Sequence, residues 1–436
     1  MWPAKECRMA IDPRVIENPR AFLAEVFEVA VKAGNPLQGI KANLPRRPKG
    51  RVIVVGAGKA SAQMAMALEA LWEGPLEGAV VSRHGTTAEL KQIKLMTAAH
   101  PVPDIAGLRA SHHLLDLVQN LTKDDLVIAL ISGGGSALLP APQEGLALQD
   151  EIDLNTALLK SGAPISAMNA IRKHISLIKG GRLAAAAYPA KVVSFVVSDI
   201  PGDVLSLVSS GPTIADDVSL GDAWNFIAKH DIALSSKLIA HLRSALPAPS
   251  PDNTVFAGHE VHLVASAKQS LKAAAAYALS RGLPAHILSD AIEGESHEVA
   301  KMHAAMAVFA RSEGRPFQPP CLMLSGGETT VTIGHGGAGK GGRNGEFALS
   351  FALAIAGREG IHCLAADSDG IDGSENNAGA FADGKTVDRI LATKLDPSAF
   401  LTAHDSWTAL NEAGDLFITG PTGTNVNDFR AILLLP

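Results

Sequence analysis

Aromatic side chains are scarce in this 436-residue chain: phenylalanine, tryptophan and tyrosine together reach 4%, with only two tyrosines. That argues against an aromatic-cored β-sandwich. The 41 glycines and recurrent alanine runs favour helices packed closely on a sheet. Cysteine is nearly absent. Cys7, Cys321 and Cys363 are odd in number and show no CxxC spacing, which argues against a disulfide framework or a zinc site. A reducing cytoplasm fits that usage. Excess positive charge is also missing. The net charge is −6 and no basic tract stands out, so nucleic acid is not an expected partner. An anionic ligand must then be caught by local positive charge. Long apolar runs are absent too: each is broken by glycine, proline or charge, and no membrane span is expected. The start, MWPAKECRMAIDPRVIENPR, has no apolar signal core.

What is present is a core-forming composition, 47% hydrophobic and 19% charged, in a length suited to two or three domains. Residues 20–33 have helical periodicity. Arg51–Val55 reads as a buried strand and Lys59–Leu71 as a helix, joined by a glycine loop. Strands at Ala79–Ser82, Lys94–Ala98, Leu126–Ile131 and Val192–Val197 follow. Alternation with helices predicts a mostly parallel sheet covered on both faces. The segment ALPAPSPDNT at 245–254 reads as a linker. The pattern then restarts, with strands at His262–Ala265, His286–Leu288 and Ile361–Ala366, a hairpin-like pair in CLMLSGGETTVTI, and FRAILLLP as a final strand. The fold class expected is α/β in two domains. Residues 1–245 form a Rossmann-like domain, and 255–436 a smaller one with a mixed sheet. The end of the chain is left free to pack back on the first domain.

In open α/β sheets ligands sit at the carboxyl ends of strands, and several glycine loops fall there. Gly56-Ala57-Gly58-Lys59-Ala60-Ser61 begins like a dinucleotide fingerprint, but Ser61 stands at the third glycine position. No acid follows Val81-Ser82-Arg83 to hold a ribose hydroxyl. Lys59, at a helix start, adds positive charge to the positive end of the dipole, which suits a bound anion. The plain alternative is a tight turn with an exposed lysine. Ser132-Gly133-Gly134-Gly135-Ser136 offers backbone N–H groups and two hydroxyls to a phosphate. A plain βα turn rarely needs three glycines. GHGGAGKGG at 334–342 nearly matches a P-loop, but Gly341 replaces the hydroxyl that holds magnesium. It reads instead as a mobile clamp delivering Arg343 and Asn344 to a helix start. A guanidinium fork there suits a carboxylate or phosphate.

Acids also cluster at strand ends: Asp199 in SDIPGD, Glu328 after Gly326-Gly327, and Asp367, Asp369 and Asp372 in DSDGIDG. Such carboxylates are natural magnesium ligands or general bases. The plain alternative for DSDGIDG is an Asp/Gly turn. His100 in HPVPD is either a ligand contact or part of a turn.

Taken together, VVGAGKAS, HPVPD, ISGGGSALLPAP, MNAIRKHISLIKGGRLA, SDIPGD, SGPT, SGGETTVT, GGRNGEFAL and DSDGIDG resemble the class II glycerate kinases. This is the glycerate 2-kinase family whose C-terminal region, here about 320–430, is called MOFRL. The motifs stand in family order from about residue 20 to the C-terminus. The resemblance implies ATP and Mg²⁺ as requirements. It also implies transfer to the 2-hydroxyl of D-glycerate in a cleft between the domains. Separately, a cytoplasmic location and a monomer or homodimer are expected. The resemblance maps the catalytic lysine and arginine onto Lys59 and Arg343. Among the strand-end acids Asp199 is the first choice for base or metal ligand, with Asp367 and Asp369 next. The nucleotide or substrate would then be lined by Gly56, Gly58, Ser61, Ser132 to Ser136, Gly326, Gly327, Glu328 and Asn344. Relatives labelled hydroxypyruvate reductases give the alternative, an NAD(P)H-dependent reductase; Arg83 could serve NADP.

Overall fold

The computed structural model describes residues 10–334, 337 and 339–436. The N-terminal segment with Cys7 and the loop residues His335, Gly336 and Ala338 lie outside the described residues. The chain divides into two compact units.

One unit is the uninterrupted stretch Pro36–Ala265. Its strands are β1 (Val52–Ala57), β2 (Glu77–Arg83), β3 (Lys94–Ala98), β4 (Leu126–Ser132), β5 (Lys191–Ser198) and β6 (Glu260–Ser266). Their order is β3-β2-β1-β4-β5-β6, with parallel registers from β3 through β5. β1 and β4 are buried along their whole length, as Val/Ile/Leu-rich runs covered on both faces should be. This is a doubly wound order. The direction of winding reverses between β1 and β4, and the crevice at such a reversal is where this architecture binds ligands.

The other unit joins residues up to Asn35 to Ser266–Pro436. Its strands are β7 (Ala285–Glu295), β8 (Cys321–Thr330), β9 (Ile361–Asp367), β10 (Gly379–Asp383), β11 (Leu416–Phe417) and β12 (Asp428–Leu434), in the order β11-β10-β9-β12-β8-β7. β7 and β8 are parallel and the other pairs antiparallel, so the sheet is mixed as expected. The scarcity of aromatics shows in the packing. Alanines on the helices Ser296–Glu313 and Arg343–Ala354, among them Ala304, Ala307, Ala348 and Ala352, are fully buried, so small side chains let the backbones approach.

The structure differs from the sequence reading in four places. Residues 10–35 belong with the second unit, because the helix Pro19–Ala33 buries Phe22, Leu23 and Phe27 in the cluster that includes Leu271, Leu364 and Phe429. The proline-rich stretch 245–254 does not end the first unit: β6 follows it and forms the edge of the first sheet. CLMLSGGETT is one strand rather than a hairpin. At Gly327 a positive φ of 132° brings the backbone against Ile292 instead of turning it. The end of the chain does not return to the first sheet: β12 sits between β8 and β9, every residue buried.

Candidate active site

Within Pro36–Ala265 the two glycine loops lock onto each other. Gly58 has φ +135°, and a side chain there would run into Ser132. The Lys59 N–H donates to the Gly133 carbonyl at 2.8 Å, and the Ala60 N–H to Ser132 Oγ at 2.9 Å. Ser61 Oγ donates to the Gly58 carbonyl at 2.6 Å. Ser61 and Ser132, both buried, therefore shape the loops with their own hydroxyls. Gly56 lies inside β1 with no room for a side chain between Leu130 and Val80. The helix begins at Ser61 with Ala60 as its cap residue, so Lys59 stands just ahead of the first turn rather than in it. Its side chain is half-buried.

Gly134 is left-handed (φ +84°, ψ −12°) and precedes the helical turn Gly135–Leu138. A left-handed residue next to a right-handed turn aims successive N–H groups into one concavity. A Cβ at Gly134 would lie 3.1 Å from His100 Nε2 and 3.2 Å from Lys59 Cγ. A side chain at Gly133 would fall on the Asp199 carboxylate. The fold thus gathers Lys59, Gly133, Gly134, His100 and Asp199, drawn from four separate segments, at the winding reversal.

The sequence reading missed the support behind this loop. Ser209 Oγ accepts the Gly135 N–H at 3.0 Å and donates to the Ser132 carbonyl at 2.5 Å. Ser136 and Ser210 hydroxyls lie 2.7 Å apart, and Ser210 donates to Asn169 Oδ1 at 2.8 Å. Ser209 and Ser210 both hold positive φ, 54° and 60°, which non-glycine residues adopt at a cost. That strain marks SGPT as more than a turn. The MNAIRKHISLIKGGRLA stretch supplies buried Lys173, paired with Asp216, and buried Lys179, paired with Glu151. Between them His174 is buried with neither ring nitrogen bonded. Burial, helped by Lys173 and Arg182, lowers its pKa to about 4. Asp104 of HPVPD caps the helix Ile105–Leu117 through the Gly107 N–H, at 2.9 Å, and pairs with His84.

In the second unit the centre is Arg343, first residue of the helix Arg343–Ala354. Its guanidinium meets three carboxylates: Glu328 at 3.0 Å, Asp367 at 2.9 Å and Asp428 at 2.6 Å. Burial alone would lower its pKa, but these three carboxylates raise it instead. Burial and the neighbouring charge of Asp369 push the Asp367 carboxyl up to about 8. Glu328, Asp367, Asp369 and Asp428 outnumber the two cations, Arg343 and Arg430. Asn344 is fully buried; its amide donates to Asp428 at 2.9 Å and to Asp372 at 3.3 Å. Asp372 is a helix cap, not a ligand-facing group: it accepts the N–H groups of Asn344 and Gly345. Gly342 has no side chain because Asp372 fills that space. Gly326 and Gly327 sit inside β8. Sequence reading overlooked Asp428 and Arg430. Their alternation with apolar neighbours in a fully buried strand was the available signal.

Among the described residues no three His, Cys, Asp or Glu side chains are grouped to hold a metal ion. Asp199 belongs to Pro36–Ala265, and the pair Asp367 and Asp369 to the other unit. The hard oxygens of Asp367 and Asp369, linked through the Asp369 N–H to Asp367 Oδ1 at 3.1 Å, do fit Mg²⁺. That ion is commonly held by one or two carboxylates, with phosphates and water completing its shell.

Comparison with known proteins adds kinship to this geometry. Residues 22–243 match the model described as a domain of unknown function, DUF4147, and residues 321–428 match the MOFRL family. A provisionally named hydroxypyruvate reductase of Agrobacterium vitis is 48% identical over 96% of this chain and 95% of its own length. The D-glycerate 2-kinase of Thermotoga maritima is 37% identical over 94% of this chain and 97% of its own. The crystal structure of a glycerate kinase from Thermotoga maritima superposes with a TM-score of 0.84 at 36% identity, covering 96% of this chain and all of that one. With near-complete coverage in both directions and both regions matched in order, the chain belongs to the MOFRL-containing glycerate 2-kinase family.

Proposed function

We propose that the protein transfers the γ-phosphoryl group of ATP to the 2-hydroxyl of D-glycerate, giving 2-phosphoglycerate and ADP. The observation that carries this reading is the placement of Lys59 and the glycine loop Gly133-Gly134-Gly135 side by side at the ends of β1 and β4. A cation beside backbone N–H groups at a helix start is a seat for phosphate oxygens. The substrate's 2-hydroxyl oxygen attacks the γ-phosphorus. The bond to the bridging oxygen breaks, ADP leaves with that electron pair, and the hydroxyl proton passes to a carboxylate, Asp199 by first choice. Lys59 and Arg343 stabilise charge on the transferring group or hold the glycerate carboxylate, since such transfers depend chiefly on positioning and charge neutralisation. Glu328 and Asn344 stand on the substrate side of this site: Glu328 pairs with the Arg343 guanidinium from β8, and Asn344 holds Asp428. Mg²⁺, held by Asp367 and Asp369, would neutralise phosphate charge. Ser61, Ser132 and Ser136 hold the loops in shape. Cysteine usage supports a cytoplasmic location, and among the described residues no helix is long and apolar enough to cross a membrane.

The reductase name of the Agrobacterium vitis relative supplies a second reading. Buried Ser61 at the third fingerprint position and the missing ribose acid weigh against it. One experiment separates them. Phosphorus NMR of ATP with D-glycerate and the protein is expected to show 2-phosphoglycerate and ADP. Consumption of NADH with hydroxypyruvate, with no phosphorylated product in the first mixture, would reverse the choice. A 3-phosphate signal would overturn the regiochemistry alone.

A further inference from the structure

A guanidinium has five N–H donors in a rigid plane, and it recognises an anion bidentately only when that plane is fixed. Arg343 Nη1 donates to Glu328 and Nη2 to Asp367, while Nε stands 2.6 Å from Asp428 Oδ1 as a close ion pair. The three carboxylates are not equivalent. The Glu328 side chain is 44% exposed, Asp367 10% and Asp428 0%. Glu328 can swing into water at little cost. Asp428 cannot move at all without breaking other bonds.

Asp428 is held at both oxygens. Oδ1 forms an ion pair with Arg343 Nε and accepts, at 2.9 Å, from Asn344 Nδ2. Oδ2 accepts from the Thr329 N–H at 3.1 Å, the Thr329 hydroxyl at 3.2 Å and Arg430 Nη2 at 2.5 Å. Arg430 is itself fully buried, with its guanidinium 5.2 Å from the Phe347 ring centre. Phe347 lies one turn beyond Arg343 on the same helix. Strand β8, strand β12 and this helix therefore converge on a single carboxylate, and that carboxylate is paired with Arg343 on its Nε side.

We infer that Asp428 is the positioning residue of the arginine: it fixes the guanidinium plane from behind and leaves the Nη1–Nη2 end to receive an anionic group of the substrates in place of Glu328 and Asp367. This rests on the kinase reading and on the role that reading gives Arg343. Asp428 touches no substrate in this scheme; it acts through Arg343.

The test uses the full chain and steady-state kinetics with ATP and D-glycerate. Asp428→Asn is expected to lower kcat about 30-fold or more, in the range of losses from misplacing a catalytic group, while KM for ATP changes little. Removing one buried charge endangers folding, so Asp428→Asn is paired with Arg430→Met, which removes the opposite charge. The double variant is expected to melt higher than Asp428→Asn without recovering kcat. Normal kcat in the folded double variant overturns the inference. Rescue gives a readout that a merely structural role does not move. Arg343→Ala is expected to regain turnover with guanidinium chloride far below denaturing concentrations. Arg343→Ala with Asp428→Asn is expected to regain none; equal rescue in both overturns the inference. Should neither Asp428 variant fold, Thr329→Val decides. It deletes one donor to Oδ2 and should lower kcat and guanidinium rescue together, and unchanged kcat counts against the idea. Wild-type kcat in Arg343→Ala defeats the kinase role of Arg343 itself. An inactive Arg343→Ala beside a fully active double variant defeats only the role of Asp428.

Discussion

Asp372 accepts the Gly345 N–H at 2.7 Å, and its other oxygen accepts the Asn344 N–H at 2.9 Å. A carboxylate from a loop thus performs the capping that Gly342, the residue at the cap position, has no side chain to perform. The capped helix begins with Arg343. Asp372→Ala is expected to cost about 1–2 kcal/mol, as cap removals do, and to lower kcat as well, because the first turn carries the arginine. Urea unfolding midpoints and kcat on the same preparation check both. A stability loss with unchanged kcat would show that Arg343 does not depend on this cap.

Lys59 is the cation proposed for the phosphate seat. Lys59→Ala should reduce kcat about 10²- to 10³-fold, the usual loss when one charge-stabilising donor is removed. The melting temperature should stay within a degree or two of the parent, since a half-buried side chain off the helix carries little packing. Near-normal turnover would sink the assignment.

Gly134→Ala tests the loop itself. The left-handed backbone would cost an alanine about 1–2 kcal/mol, and its Cβ would press on His100 and Lys59. KM for ATP is expected to rise and kcat to fall with the fold intact by circular dichroism. Unchanged KM for ATP would argue that the nucleotide binds elsewhere.

Stability should fall as the solution becomes more alkaline. Burial, with Asp369 beside it, pushes Asp367 up to about 8, and burial pushes Asp372 up to about 6. A carboxyl whose pKa rises on folding binds its proton more tightly folded than unfolded. Its contribution is complete below the unfolded value of about 4 and is lost as pH climbs, through about 6 for Asp372 and about 8 for Asp367. Thermal melts across this range should decline less steeply for Asp367→Asn than for the parent. Identical slopes would show that Asp367 does not govern the alkaline limb.

His174 acts in the opposite direction. Its folded pKa is lowered to about 4 from 6.5, so the folded chain holds it neutral. The stability this gives is present above 6.5 and is lost as pH falls through about 4. His174→Phe, which cannot take a proton, should flatten the acid limb of the melting curve. An unchanged acid limb would place the acid sensitivity in other groups.

Much of the first unit was legible in sequence because its strands are apolar runs punctuated by glycine, and parallel sheets write themselves that way. Lys59 and Arg343 stood out because each places positive charge at a helix start. The short strands β10 and β11 left little trace: GAFAD has few β-branched residues, and two residues make no pattern. Asp428 was hidden for a different reason. Its importance comes from partners at 329, 343, 344 and 430, and only the pairing of β12 with β8 and β9 brings these together. Ser209 likewise reads as a turn residue until its hydroxyl is seen bridging Ser132 and Gly135. The SGG at 325–327 misled because glycine pairs suggest turns, whereas here they let neighbouring backbones touch.

The interleaving of the two units has a consequence for biosynthesis. The helix Pro19–Ala33 leaves the ribosome long before its partner helix Ala267–Ser280, and β8 and β9 precede the strand that belongs between them. The stretch Pro36–Ala265 can complete its sheet while it is being made. The other unit must wait with an orphaned amphipathic helix and two unpaired strand edges until β12 emerges. Chaperone demand during translation should therefore be concentrated on that unit, and a ribosome stalled before residue 428 should expose a chain half folded and half adhesive.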